Sequence, residues 1–150
     1  MKENKVFHRK GFSLIETMAV VSITGFLAMG IAFTIRQSQA SSTLNEAQTI
    51  VVRALEEAQN RALTGVGTKG HGVYIEEKNV TIFEGPVYIA GTSNMVLLPP
   101  LTSTDQTGLT IIFKRLAGTT DADYLITVSS NLSSATKKIT VTAAGAITPE

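Results

Sequence analysis

Between positions 12 and 35 the chain carries one charged residue, Glu16, and the next charge is Arg36. No proline interrupts this run, and Leu, Ile, Val, Met, Phe and Ala dominate it. As a helix rising about 1.5 Å per residue it covers roughly 36 Å, enough to cross a hydrocarbon core of about 30 Å with some tilt. A chain of 150 residues that opens this way has room for one small domain behind the apolar segment. The odd feature is Glu16. A charge at mid-depth in a membrane costs at least about 2.5–3.5 kcal/mol, and less near the interface, so an acid there is a functional candidate by default. The competing reading places Glu16 at headgroup depth, as an acid favoured by the positive end of a helix.

The flanks set an orientation. Lys2, Lys5, Arg9 and Lys10 precede the run and only Arg36 follows closely, so the N-terminus is expected on the cytoplasmic side. An ordinary secretory signal has an apolar core of only about 7–15 residues. Ser38-Gln39-Ala40 offers a small-x-small site beyond the run, but Arg36 and Gln37 intervene. A plain single-pass anchor is the stronger competitor, and it implies the same orientation.

Composition beyond the run is that of an ordinary globular chain; the 43% apolar content is inflated by the N-terminal segment. The first eleven residues hold four cations and one acid, a charge of +3, so of the whole-chain +1 the rest of the sequence carries −2. A mildly acidic remainder argues against a strongly basic nucleic-acid binder. Cysteine is absent, which excludes disulfides and cysteine metal sites.

From residue 36 to residue 63 the pattern turns amphipathic without a breaker. Leu44, Ala47, Val51, Ala54, Leu55, Ala58 and Ala62 recur at spacings of three and four, with Glu46, Arg53, Glu56, Glu57, Asn60 and Arg61 mainly off that stripe. Glu57 and Arg61 are four apart in the favourable order, and Gly65 is a natural residue to end the helix. One helix over residues 12–64 is expected, about 80 Å long by its rise per residue. The alanines of the stripe suggest a sheet lying close against it. A coiled-coil seam is the alternative, and it calls for larger residues in longer heptads.

After the glycine-rich residues 65–70 the period changes to two. Residues 72–76 and 80–83 alternate around Lys78-Asn79 and read as a β-hairpin. Gly85-Pro86 ends it. Weaker strands are expected at 87–90 and 95–98, with Gly91-Thr92-Ser93-Asn94 between them. Residues 99–108 read as a polar, mobile loop. Clearer strands follow at 109–113, 124–128 and 138–142, and a last edge strand at 146–148. No gap accommodates a crossover helix, so the sheet is expected to be antiparallel. The fold class is α+β: a long N-terminal helix packed against a small antiparallel sheet.

No catalytic set emerges, and none is assigned. His8 lies in the polar leader, and His71 between two glycines reads as a loop residue. Thr119, Thr120, Asp121 and Asp123 place two acids together, short of the six to eight oxygens that calcium takes. No metal or other cofactor is expected. Lys114, Arg115, Lys137 and Lys138 are the one basic cluster; as solvated strand ends they need no further explanation, and nucleic-acid binding is the lesser alternative.

The short basic leader ending in Lys10-Gly11, then Phe12-Ser13-Leu14-Ile15-Glu16 and the apolar helix, resembles the class III signal of type IV pilins and type II secretion pseudopilins. The resemblance implies cleavage by a prepilin peptidase after Gly11, methylation of the new amine on Phe12, and a role for Glu16 in assembly. It divides the chain into a leader at 1–11, a membrane-spanning half-helix at 12–35, an amphipathic half at 36–64 and a β-sheet domain at 65–150. Many members carry a proline where this chain has Phe33, which leaves local melting of the helix open. The implied partners are the peptidase, other pilins through the helix, and an inner-membrane assembly platform. The implied location is the inner membrane, with the domain outside the cytoplasm and extraction into a pilus or pseudopilus. No enzymatic activity is implied.

Residues 54–62, the hairpin after them and a closing strand with a late glycine, Gly145, look most similar to the H-type minor pseudopilins and related DNA-uptake minor pilins. A major pilin is the competing reading. DNA-binding members carry a basic glycine-arginine motif near the C-terminus; this chain has Ala144-Gly145-Ala146 there, so that activity is not carried over.

Overall fold

The computed structural model describes residues 13–67, 69–90 and 94–150, with residues 32 and 33 described by their backbone. The chain divides into two compact units, Met1–Arg36 and Gln37–Glu150. Helix α1 runs Leu14–Leu63. In the first unit its apolar side chains lie open: Leu14, Ile15, Val21, Phe26 and Met29 are all more than two-thirds exposed. Its hydroxyls turn inward on the helix itself. Thr17 donates to the Leu14 carbonyl, Ser22 to Met18, Thr24 to Val20 and Thr34 to Gly30, at 2.7–3.0 Å. Such back-bonding satisfies polar groups without water, as a helix in lipid requires.

In the second unit the same helix presents one buried stripe: Ala40, Leu44, Ala47, Val51, Ala54, Leu55, Ala58 and Ala62. From Leu44 onward these residues sit in one core cluster with strand side chains, so the stripe is covered within the domain. Burying Leu55 alone contributes about 1.5–3 kcal/mol, and the alanines let the helix backbone approach the strands. The helix ends at Gly65, which takes a positive φ of 67°. The loop after β5 completes the cap: Leu116 N–H donates to the Ala62 carbonyl at 2.8 Å, and the Arg115 guanidinium donates to the Gly65 carbonyl.

Eight strands follow: β1 His71–Ile75, β2 Asn79–Glu84, β3 Asn94–Leu97, β4 Thr102–Thr104, β5 Leu109–Phe113, β6 Tyr124–Ser130, β7 Thr136–Val141 and β8 Ile147–Pro149. They form two antiparallel four-stranded sheets, β3-β2-β1-β5 and β4-β6-β7-β8, where one small sheet was expected. Val73, Ile75, Val80, Ile82, Ile111 and Phe113 of the first sheet share a core with Ile126, Val128, Ile139 and Val141 of the second. Period-two alternation carries the inward face of each strand.

Three further expectations are corrected. Residues 87–90 are not a strand. Gly85, at φ 119°, turns the chain at Pro86, and Tyr88 stacks on Tyr74 with ring centroids 4.1 Å apart, while Phe83 meets Tyr88 edge-on. The alternation of Val87, Tyr88 and Ile89 thus serves an aromatic cluster on the outer face of the first sheet. Residues 99–108 are not a featureless loop, because β4 lies within them and pairs with β6 from Thr102↔Ser130 to Thr104↔Val128. The hairpin turn falls on Glu77-Lys78 rather than Lys78-Asn79: Ile75 pairs with Val80, and Glu76 N–H donates to the Asn79 carbonyl.

Candidate functional site

Of the residues singled out by sequence, Glu16 lies at the head of α1. Gly11, Phe12 and His8 fall outside the described residues. Glu16 is in the first turn of the helix. Ser13-Leu14-Ile15-Glu16 has the spacing of a capping box, in which a serine and a glutamate three residues on satisfy each other's backbone amides. That exchange is not made here. Glu16 N–H donates to the Ser13 carbonyl at 3.0 Å, and the Glu16 carboxylate has no hydrogen bond or ion pair among the described residues. Every hydroxyl that the helix buries in its own backbone leaves this carboxylate as the polar group that must look elsewhere for a partner. Gly25 and Gly30 have open space where a Cβ would stand, with nothing within 4 Å. Beside Gly30, Phe26, Leu27, Ile31 and Thr34 border a shallow apolar groove of about 430 Å³. By length and composition this helix suffices to cross a membrane.

In the second unit the basic cluster comes apart. Lys114 pairs with Asp121 at 2.8 Å, and Arg115 is engaged at the helix cap. Lys137 and Lys138 stand at the start of β7, whereas Thr120 N–H binds Ala143 beyond the end of that strand. At about 3.3 Å per residue the two halves are separated by roughly 20 Å. The acids considered for calcium have structural roles. Asp121 takes Lys114, the Asp123 carboxylate accepts from Ala143 N–H, and the Thr120 hydroxyl donates to the carbonyls of Ala122 and Thr142. Among the described residues no group of three His, Cys, Asp or Glu could hold a metal ion. His71 is not a loop residue: it opens β1 on the inward face, 3% exposed, with its Nδ1 lacking a hydrogen-bond partner among the described residues.

Two residues that organise the domain were missed. Gln48 Nε2 donates to the carbonyls of Lys138 and Glu150, and Gln59 Nε2 to those of Gly118, at 3.0 Å, and Gly145, at 2.7 Å. They tie α1 to β7, to the last residue, to the loop after β5 and to the turn between β7 and β8. A signal existed, since glutamines eleven residues apart fall on one helix face, bordering the apolar stripe.

The prokaryotic N-terminal methylation motif matches residues 7–32. The crystal structure of the type IV minor pilin FimU from Pseudomonas aeruginosa has a similar fold, with a TM-score of 0.52 and 14% identity, over 73% of this chain and 91% of that one. No curated protein matches the sequence. The chain thus carries the prokaryotic N-terminal methylation motif over residues 7–32, and the fold behind it is similar to that of a type IV minor pilin.

Proposed function

We propose that this protein is a minor pilin or pseudopilin, a structural subunit of a type II secretion pseudopilus or a type IV pilus. A prepilin peptidase cuts after Gly11, the new amine on Phe12 is methylated, and residues 12–35 hold the subunit in the inner membrane with the domain outside. Residues 36–64 carry the amphipathic half of the helix and residues 65–150 the β-sheet domain. An inner-membrane platform then passes the subunit into the filament. The resemblance of residues 54–62 and the closing turn at Gly145 favours the H-type subfamily within this class.

The observation that carries the reading is Glu16, the one charge in an apolar helix whose hydroxyls bond back to their own turns. Cleavage leaves a positive amine on Phe12, and in a helix-packed filament core that amine and a carboxylate from the next subunit share a medium of low dielectric. Pairing offsets much of the desolvation cost of each and fixes the axial register between helices. Removing one partner of a buried pair costs about 3–5 kcal/mol, enough to reduce assembly by two orders of magnitude or more.

The test has two stages. Mass spectrometry of the full chain expressed with a prepilin peptidase is expected to give an N-methylated Phe12 terminus; an intact leader refutes the reading. Glu16→Val should then be cut and inserted normally but lose crosslinking to partner pilins, with little recovery in Glu16→Asp. Wild-type assembly of Glu16→Val would make the carboxylate a headgroup-depth residue without a role in pairing.

A further inference from the structure

Four strands stand at the edges of the two sheets: β3 and β5 in the first, β4 and β8 in the second. A bare edge offers unpaired N–H and C=O groups to any strand that meets it, and folded domains usually blunt it. Three of these edges are blunted. Thr102 and Thr104 of β4 point their amides away from β6, and the carbonyls of Pro99 and Glu77 accept from them. Pro149 holds the outward position of β8 and has no amide proton to offer. Thr110 and Ile112, the outward residues of β5, are half-buried. Strand β3 differs: Asn94, Met95, Val96 and Leu97 are all exposed, and none is charged or a proline. Leu98 N–H donates to the Lys78 carbonyl, and bonding alternates along the ladder. Asn94 and Val96 therefore face β2, while Met95 and Leu97 hold their N–H and C=O outward, without a partner among the described residues.

Where β3 ends, Leu97, Leu98, Pro99, Pro100 and Leu101 border a groove of about 440 Å³ whose one charged residue is Lys78. Leu101 is held there against its backbone preference. Thr102 N–H donates to the Pro99 carbonyl, and Leu101, the third residue of that turn, takes a φ of 67°. Glycine or asparagine suits that position of a type II turn, yet here it presents a leucine more than half exposed. Strain that sets an apolar side chain in water gains nothing for the domain, and a partner that covers the side chain gives it a purpose.

We infer that the open edge of β3 receives an extended segment of a different polypeptide as a fifth strand, with apolar side chains at alternate positions, one of them entering the groove between Leu97 and Leu101. Main-chain bonds to Met95 and Leu97 set the register and the groove supplies selectivity, the division of labour of strand addition. The edge is short, with two outward-bonding residues, so the groove has to carry part of the affinity. A second copy of the chain does not suit it. In a two-fold antiparallel pair that sets Met95 against Leu97, residues 93 and 91 fall opposite 99 and 101, and Gly91-Thr92-Ser93 brings no apolar side chain to the groove. One added strand closes the edge, so one partner is taken and nothing propagates. The contact involves neither Glu16 nor filament assembly, so it and the proposed function fail separately.

The probe is a capped hexapeptide of alternating threonine and leucine, labelled with a fluorophore and titrated into the full-length chain in detergent micelles. Anisotropy should show saturable binding with a Kd below about 1 mM. Hydrogen exchange at the Met95 and Leu97 amides should slow at saturation. The same peptide N-methylated at every amide keeps its side chains but cannot pair, and should not bind. Met95→Pro removes one outward donor and leaves the bonds of Asn94 and Val96 to β2 in place; it should weaken binding at least about threefold. Leu101→Asn keeps the turn and removes the apolar side chain; it should weaken binding about tenfold without lowering Tm. No binding at about 1 mM, equal binding of the N-methylated peptide, or unchanged affinity in either variant would overturn the inference. So would protection of the Met95 and Leu97 amides that rises with protein concentration in the absence of peptide, the sign of copies pairing with each other.

Discussion

Gly145 sits where the last turn of the domain meets the helix, and replacing it by alanine tests how that junction is built. Its φ is 89°, in the left-handed region. A Cβ there would stand 2.3 Å from the Gly118 carbonyl oxygen and 2.7 Å from Gln59 Nε2. The first neighbour is backbone and cannot rotate away. Relief therefore requires the 116–118 loop or the 142–146 turn to move, and either motion breaks the bonds from Gln59 to the two carbonyls. A left-handed conformation costs an L-residue about 1–2 kcal/mol, and each hydrogen bond lost removes about 0.5–1.5 kcal/mol. The expected destabilisation is about 3 kcal/mol. At roughly 4 °C per kcal/mol for a domain of this size, Tm falls by about 12 °C. Thermal unfolding followed by far-UV circular dichroism on Gln37–Glu150 measures it. Gln59→Ala alone should cost about 1–3 kcal/mol. Because Gly145→Ala already displaces Gln59, the double variant should cost less than the sum by about 1 kcal/mol or more. Gly145→Ala unfolding within about 2 °C of wild type, or strictly additive variants, would refute the argument that one backbone clash and one glutamine hold this corner together.

Two further outcomes are expected. Gln37–Glu150 expressed alone should be soluble and unfold cooperatively with mixed helix and strand signals, because the stripe from Leu44 to Ala62 is covered within that unit; an aggregated or disordered fragment would mean the stripe needs a partner subunit. Leu55→Ala, at a fully buried position, should destabilise that domain by about 2–5 kcal/mol in chemical denaturation, whereas Phe26→Ala in the full chain should leave its unfolding unchanged, since Phe26 is 81% exposed in the other unit.

Much of the chain was legible because it depends on local pattern. The apolar run, its lone carboxylate and the stripe after it are periodicities of single segments, and a helix must present them as it does. The strands at 109–113 and 124–128 were legible for the same reason, being β-branched and aromatic runs with period two. Where local pattern was ambiguous, packing decided. Val87, Tyr88 and Ile89 alternate as a strand does, yet Tyr74 and Phe83 offered Tyr88 an aromatic partner that no edge could match. Thr102-Ser103-Thr104 has no apolar alternation and reads as loop, yet it pairs with Ser130, Ser129 and Val128, about 25 residues further on.

What the sequence determined by itself is the N-terminal half: a helix of membrane-spanning length, the spacing of Gly11, Phe12 and Glu16, and the face that the second half of the helix buries. Each follows from residue order along one element, so no distant contact is needed to define it. The tertiary structure alone decided the division into two sheets, the separation of Lys114 and Arg115 from Lys137 and Lys138, and the roles of Gln48, Gln59 and Gly145. Those depend on which strand edge lies beside which turn, and that is settled by the register of pairings spanning tens of residues. A lysine or a glutamine carries the same local signal wherever it is placed; its partner exists only once the chain has closed on itself.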